Sequence, residues 1–385
     1  MLTERVAVHA YAVNGVGPAR VVRPTDADEV ADAIAAANAD RRAVVLFGGG
    51  TRVDVGDAPS RYDFALDLRG VRGVVEHSPA DLVCVVRAGT TLAELASELA
   101  AKGQRWPVEA PEPDRATVGG TIASAAATPS RLRHQHVRDW VIGCEAVLGD
   151  GTRARAGGRV VKNVTGYDLT RLYSGTFGTL AALVELSLKL VAIDERVCLL
   201  VLRDGDVPQL ARLAGDLRAS LPLDSLVLAT GAAGRGTGLY VRLAGSSAAV
   251  ERLTREVTAR AAFVEVDASE LQRVVDVTTR FADVARASVT PGAEFDVMSG
   301  DAVAYVGAGS TFIVGERSDD ELRTTRERVE ANGGALVLER VEPARRARDV
   351  GRAPHAGPGP GGAQAAVRSE RRARTRPHPR LALIA

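Results

Sequence analysis

The chain has 385 residues, too many for one ordinary hydrophobic core, so at least two domains are expected. Hydrophobic residues make up 46% and charged residues 25%, which is globular and excludes a chain disordered throughout. The formal net charge of +1 hides an asymmetry, because ten arginines face only Asp349 and Glu370 after residue 342, and the part before it is mildly acidic.

That acidic balance does not suit a nucleic-acid partner. Cys84, Cys144 and Cys198 stand far apart with no CxxC pair to hold zinc or a cluster, and Cys84 in the run LVCVV reads as a small core residue. The start, MLTERVAVHA, mixes acid and base without an apolar core, and no run of 18 apolar residues occurs. A cytoplasmic protein is expected, meeting a membrane only through partners.

In chain order, Thr25 is placed to cap a helix over Asp26 to Ala39, with Val30, Ile34 and Ala37 at helical spacing. A strand over Ala43 to Phe47 then runs into Gly48-Gly49-Gly50-Thr51. That loop reads either as a phosphate cradle or as a tight turn. No helix comes after it, which argues against a dinucleotide fold whose glycines open a helix. Strands are predicted at Tyr62 to Leu68 and Val83 to Ala88, and Thr91 with Glu94 forms a capping box for a helix over Leu92 to Ala101. Thr117, Gly119 and Gly120 precede a small-residue helix over Thr121 to Ala127. A helix start with free N–H groups suits a pyrophosphate, and close helix packing is the alternative.

Arg131, Arg133, His134, His136 and Arg138 form a polar loop before the strand Val141 to Leu148. Without a third ligand the two histidines read as solvated, whereas Arg131 and Arg133 are candidates for holding a carboxylate or phosphate. The stretch from Gly157 to Leu190 has the densest glycine punctuation. Val160 and Val161 begin a strand, Gly166 breaks it, Tyr167 to Tyr173 has helical spacing with Leu169 and Leu172 on one side, and Gly175 and Gly178 interrupt again before a strand over Leu180 to Val191. Read by itself, this segment fits a ligand loop and a pair of tight turns equally.

After it, the alternation of strands and helices from Val197 to Val266 spells β-α-β-β-α-β, a ferredoxin-like unit. A helix at Ser269 to Phe281, strands near Ala285 to Val289, Ala302 to Val306 and Thr311 to Val314, a helix at Asp319 to Ala331 and a strand at Ala335 to Glu339 extend it, with a hairpin turn at Gly307-Ala308-Gly309. From Pro343 the periodicity stops. The glycines between Gly357 and Gly362 match GxGxxG in letters only, since prolines interrupt them and no strand precedes them. Residues 343–385 are read as a low-complexity basic tail, and a change of reading frame is favoured over a nucleic-acid-binding arm.

Four motifs in order, FGGGT at Phe47 to Thr51, ATVGG at Ala116 to Gly120, RLRHQHVRDWVIG at Arg131 to Gly143 and the long stretch Gly157 to Leu180, resemble the PCMH-type FAD-binding domain of the vanillyl-alcohol oxidase superfamily. Within it the chain is similar to the FAD-binding E subunits of bacterial glycolate oxidases, over roughly Arg23 to Glu339. The resemblance implies an α+β fold with a two-lobed FAD-binding domain in residues 1–194 and a ferredoxin-like α/β cap in residues 195–342. It implies that Gly48 to Thr51 and Thr117 to Gly120 hold the FAD pyrophosphate, and that Gly166, Tyr167, Asp168, Gly175, Gly178 and Thr179 line the flavin and adenosine side. Because Gly48 to Asp54 contains no histidine, the FAD is expected to be noncovalent. The implied reaction is oxidation of glycolate, a small 2-hydroxy acid, to glyoxylate, with a larger homologous FAD-binding subunit and an iron–sulfur subunit as partners. An FAD oxidoreductase that acts alone on another 2-hydroxy acid or alcohol is the alternative. Two departures stand out: Thr128-Pro129-Ser130 replaces a Ser-Gly-Pro stretch, and the family's closing helix is missing.

Overall fold

A short parallel sheet opens the fold. In a computed structural model that describes residues 8–158 and 167–342, without the side chains of residues 277 and 278, strand β1 (Arg20–Val22), helix α1 (Ala27–Ala39), β2 (Val44–Phe47) and β3 (Phe64–Asp67) come first, with sheet order β1-β3-β2. The run VVLF is buried on both faces: Val44 and Leu46 face α1, while Val45 and Phe47 face Tyr11, Val13 and Tyr62. Asp26 rather than Thr25 caps α1, its side chain accepting from the Glu29 amide, and Thr25 instead donates to Glu29 Oε2. Fully buried Asp67 ends β3 and accepts from the Tyr11 hydroxyl at 2.7 Å, from Arg23 and from Arg69, which pins the N-terminal arm across the sheet.

The second lobe is a five-stranded antiparallel sheet made of β4 (Val74–Ser78), β5 (Val83–Arg87), β7 (Val141–Leu148), β8 (Arg153–Gly157) and β9 (Ala181–Lys189), in the order β4-β5-β9-β7-β8. Between its strands lie α2 (Leu92–Ala100), β6 (Gln104–Arg105), α3 (Val118–Ala123), α4 (Arg131–His134) and α5 (Leu169–Tyr173); β10 (Val191–Ala192) comes after β9 and pairs with β6. The expected capping box on α2 is present, and Leu92, Leu95 and Leu99 seal it onto the sheet. In α5 the buried residues are Thr170 and Tyr173, while Leu172 is 52% exposed, so the apolar side expected at Leu169 and Leu172 is only half used. The strand start at Val160 and Val161, Gly166 and residues 343–385 lie outside the described residues.

From Arg196 on, one eight-stranded antiparallel sheet takes over. Its first half, β11 (Arg196–Arg203), α6 (Val207–Ser220), β12 (Ser225–Thr230), β13 (Gly238–Gly245), α7 (Ser247–Thr258) and β14 (Val264–Val266), has the ferredoxin-like order β14-β11-β13-β12. The second half adds α8 (Ser269–Arg280), β15 (Val284–Ser288), β16 (Ala302–Tyr305), β17 (Ser310–Val314), α9 (Asp319–Ala331) and β18 (Ala335–Arg340), joined through the pairing of β12 with β16. Strand alternation splits the cap core in two. Leu200, Leu226 and Val241 face α6 and α7, whereas Leu199, Val227 and Tyr240 face α8 and are met by Ala127 of the first region. The hairpin turn expected at Gly307-Ala308-Gly309 forms, with both glycines at positive φ. The fully buried Glu294 carboxylate accepts from the amides of Gly292, Gly307 and Gly309 there.

Candidate FAD site

Three chain segments and the end of the cap meet around one cleft of about 1100 Å³, solvent mouth included. Its walls are the loop Gly48–Val55 after β2, α3 with its flanks, the turn at Gly178, and Thr279, Val284, Glu339 and Arg340 of the cap. Of the residues singled out from sequence, Gly48, Gly49, Gly50, Thr51, Thr117, Gly119, Gly120 and Gly178 line this cleft together.

The first loop leaves its donors free. Among the described residues none accepts a hydrogen bond from the amides of Gly49, Gly50 or Thr51. Gly50 has φ +71°, and successive amides around a left-handed residue make a concavity for an anion. The loop is backed tightly, since a Cβ on Gly49 would sit 1.8 Å from the Arg115 carbonyl oxygen and one on Gly48 would sit 2.6 Å from Thr117 Oγ1. Arg115 bonds the Gly49 carbonyl and Glu112, which brings a cation beside the concavity.

At α3 the outcome differs from expectation. The helix starts at Val118 rather than Thr121, so Gly119 and Gly120 lie inside it, and its first amides are already used. Val118 donates to Thr90 O, Gly119 to Ala88 O, Gly120 to Thr117 Oγ1 and Thr121 to Thr117 O. The glycines serve close packing here: a Cβ on Gly119 would lie 2.7 Å from the Ala88 Cβ. α3 therefore forms a small-residue wall against which a flat ring can lie, and the anion donors belong to the first loop.

The third segment divides as well. Gly178, at φ +69°, approaches Leu46 and lines the cleft. Gly175 and Phe177 donate to the carbonyls of Ile122 and Ala123, and Thr179 Oγ1 donates to Thr176 O, so these residues brace the turn against α3. Tyr167 is 93% exposed, and Asp168 caps α5 while accepting from Thr170 Oγ1 at 2.6 Å; neither lines the cleft. Burial opposes ionisation of Asp168, but the Thr170 hydroxyl bond is the larger effect and holds its carboxyl below the usual range.

The Arg131 to Arg138 segment is not a solvated loop. His134 is 9% exposed, packs edge-on against Trp140 and lies 3.5 Å from Asp224 of the cap. Arg133 reaches Asp194, Asp224 and the Ala244 carbonyl, and Arg242 of the cap bridges Asp224 and Glu109 at 2.6 Å each. Arg133 is thus occupied in the junction between the two regions. Arg131 is different: its Nη2 lies 2.5 Å from His136 Nε2, and no carboxylate of the described residues is within ion-pair distance. Burial first, then the charges of Arg138 and Arg286, push its pKa down, as expected for a cation short of counter-charge. Burial and the charge of Arg131 also lower the pKa of His136, whose neutral ring accepts a hydrogen bond from the guanidinium.

Residues 18–157 match the family model described as an FAD binding domain. This part of the chain is an FAD-binding domain. It is of the PCMH type, as the motifs implied, with FAD as the cofactor such a domain binds. The chain is similar to the glycolate oxidase subunit GlcE of Escherichia coli, 38% identical over 153 residues, which are 40% of this chain and 43% of that one. Glycolate oxidase subunit GlcD of Bacillus subtilis is 29% identical over 203 residues (53% and 43%), and D-lactate dehydrogenase of Archaeoglobus fulgidus 33% over 170 (44% and 38%). The aligned part therefore spans less than half of each of these relatives. In fold the chain is similar to alkyldihydroxyacetonephosphate synthase, with TM-score 0.67 over 87% of this chain and 77% of that one at 13% identity.

The residues present fit FAD. A nest of free amides suits the pyrophosphate, and the Gly119–Ala126 wall admits an aromatic ring. Sequence reading missed Arg52, Ser124, Glu339 and Arg340 as cleft residues. Ser124 had a signal, its place in the small-residue run, while the other three carry none a local pattern could reveal.

Proposed function

We propose that the protein holds FAD noncovalently in this cleft and takes part in oxidising a small 2-hydroxy acid, glycolate in the first place, as the FAD-binding subunit of a multi-subunit oxidase. The observation that carries this reading is the set of free amides at Gly49 to Thr51 around the left-handed Gly50, inside a cleft whose far wall is built of small residues. Bound FAD supplies the two-electron acceptor for such a reaction. The chain's own residues do the rest. The loop amides hold the pyrophosphate, the α3 wall keeps water from the ring, and Arg131, which is outside the lining of the cleft itself and has no carboxylate partner among the described residues, receives the carboxylate of the substrate. His136 fixes the guanidinium from behind through its 2.5 Å contact.

Likeness to two different glycolate oxidase subunits supports a complex with a larger homologous FAD-binding subunit, and an iron–sulfur subunit is proposed as the exit for electrons. No helix among the described residues is long and apolar enough to cross a membrane, and we place the complex in the cytoplasm, touching the membrane through partners. The test is the visible flavin spectrum of the purified protein before and after anaerobic glycolate. Bound flavin with feeble reduction by the isolated chain and strong reduction with its partners is expected; a colourless preparation overturns the reading. Likeness to a D-lactate dehydrogenase favours a second reading, a self-sufficient oxidoreductase for another 2-hydroxy acid. Rapid bleaching of the isolated protein by D-lactate would select it.

A further inference from the structure

The cleft is completed by the far end of the chain. Glu339, 8% exposed, is the next-to-last residue of β18, and its Oε1 accepts from Arg52 Nη2 at 2.7 Å and from Arg286 Nε at 2.5 Å. Arg52 directly follows Thr51, so one ion pair ties the amide loop to the last cap strand across 287 residues of sequence. Arg286 is itself fixed by Ser288 Oγ at 2.6 Å. The other ion pair of this loop region, Arg115 with Glu112, has an arginine that is 59% exposed, where such a pair stabilises little. The side chains of the Arg52–Glu339 pair are only 15% and 9% exposed, and breaking a buried pair leaves a charge without compensation. Without the carboxylate, Arg52 and Arg286 would face each other as like charges. Arg52 Nε is buried too, with no partner among the described residues, so a donor at the loop stands ready for an acceptor.

We propose that Glu339 is a positioning residue for the cofactor: through Arg52 it holds the Gly48–Thr51 loop in its anion-binding conformation and makes FAD retention depend on docking of the last cap strand. This rests on the reading that the loop holds the FAD pyrophosphate. Glu339 need not touch the flavin to act. It sets the loop that does, and a cap displaced from the loop loosens the cofactor.

The test is the rate at which FAD leaves the holoprotein on dilution, followed by recovery of flavin fluorescence. Glu339→Gln keeps the shape and removes the charge, and it is expected to speed release roughly tenfold, within the range of ordinary coupling between sites. Arg52→Met should do the same, and the double variant should release FAD no faster than either single one, because both remove one interaction. Wild-type release from Glu339→Gln, or single effects that multiply in the double variant, overturns the proposal, even if the variants melt at lower temperature. Should Glu339→Gln fail to fold by circular dichroism, Arg52→Met decides alone. Gly50→Val tests the underlying reading separately: full flavin content in that variant removes the loop from the site, whereas flavin loss there combined with wild-type release from Glu339→Gln refutes the coupling only.

Discussion

Replacing Gly49 with alanine adds a single methyl group at the tightest point of the cleft. The new Cβ would lie 1.8 Å from the Arg115 carbonyl oxygen and 2.5 Å from its carbon, so the loop must retreat by about 1.2 Å to reach even 3.0 Å. The other side cannot yield, since Ala116 donates to Glu112 O at 2.8 Å and accepts from the Leu92 amide at 2.9 Å. Such overpacking costs roughly 1–3 kcal/mol. If that cost falls on the loop conformation that binds FAD, affinity drops by roughly 5- to 150-fold. Titrating apoprotein with FAD and following flavin fluorescence quenching gives the number. Gly215→Ala is the control: it lies in α6 with nothing within 4 Å, and it should leave FAD affinity unchanged while stabilising the fold by about 0.5–1 kcal/mol. Gly49→Ala protein that binds FAD within a factor of about two of wild type would refute the assignment of this loop.

Arg242→Met leaves Asp224, 2% exposed, short of a partner and unties Glu109, so the urea midpoint should fall by the equivalent of about 3–5 kcal/mol; a loss under about 1 kcal/mol refutes a structural role for the junction. Acid should destabilise the protein in two stages. His136 has a folded pKa below its ordinary 6.5, so the stability its neutral form supplies is full above that value and is lost as pH falls through the lower one; a His136→Gln variant should show a flatter stability profile just below pH 6.5. Asp224 and Glu339, held below their ordinary 3.8 and 4.5, by His134 and Arg242 in one case and by Arg52 and Arg286 in the other, against burial that raises both, supply stability that is full above those values and is lost below them, seen as a second fall in urea midpoint. Arg131→Met should abolish flavin reduction by the 2-hydroxy acid at unchanged flavin content, whereas Arg133→Met should lower the melting temperature; reduction at the wild-type rate in the first variant removes Arg131 from substrate binding.

The cap was readable because its strands are continuous apolar runs between well-capped helices, as at β11 and at α9 with its Ser318 and Glu321 box. The edge strands of the five-stranded sheet were not. β4 reads VVEHS and β8 reads RARAG, both half exposed, and the arginines of β8 are held by Glu145 on the neighbouring strand and, for Arg153, also by Asp28 of α1. The start of α3 was misplaced because glycines suggest a break, whereas Thr117 caps the helix and Ala88 requires bare backbone beside it. The loop glycines of the site were legible as punctuation. The ion pairs of His134, Arg133 and Glu339 were not, since each joins residues 53 to 287 positions apart and no local pattern encodes such a meeting.

The distance along the chain between Arg52 and Glu339 also orders events during synthesis. The amide loop leaves the ribosome early, and its parallel sheet can form at once, but the wall carrying Glu339 and Arg340 exists only when the last cap strand has been made and has zipped onto β15. Loop closure over so long a span comes late in folding. A nascent chain stalled before β18 would thus have every glycine of the site and no lasting hold on its flavin, which makes cofactor loading a report on complete folding of the cap.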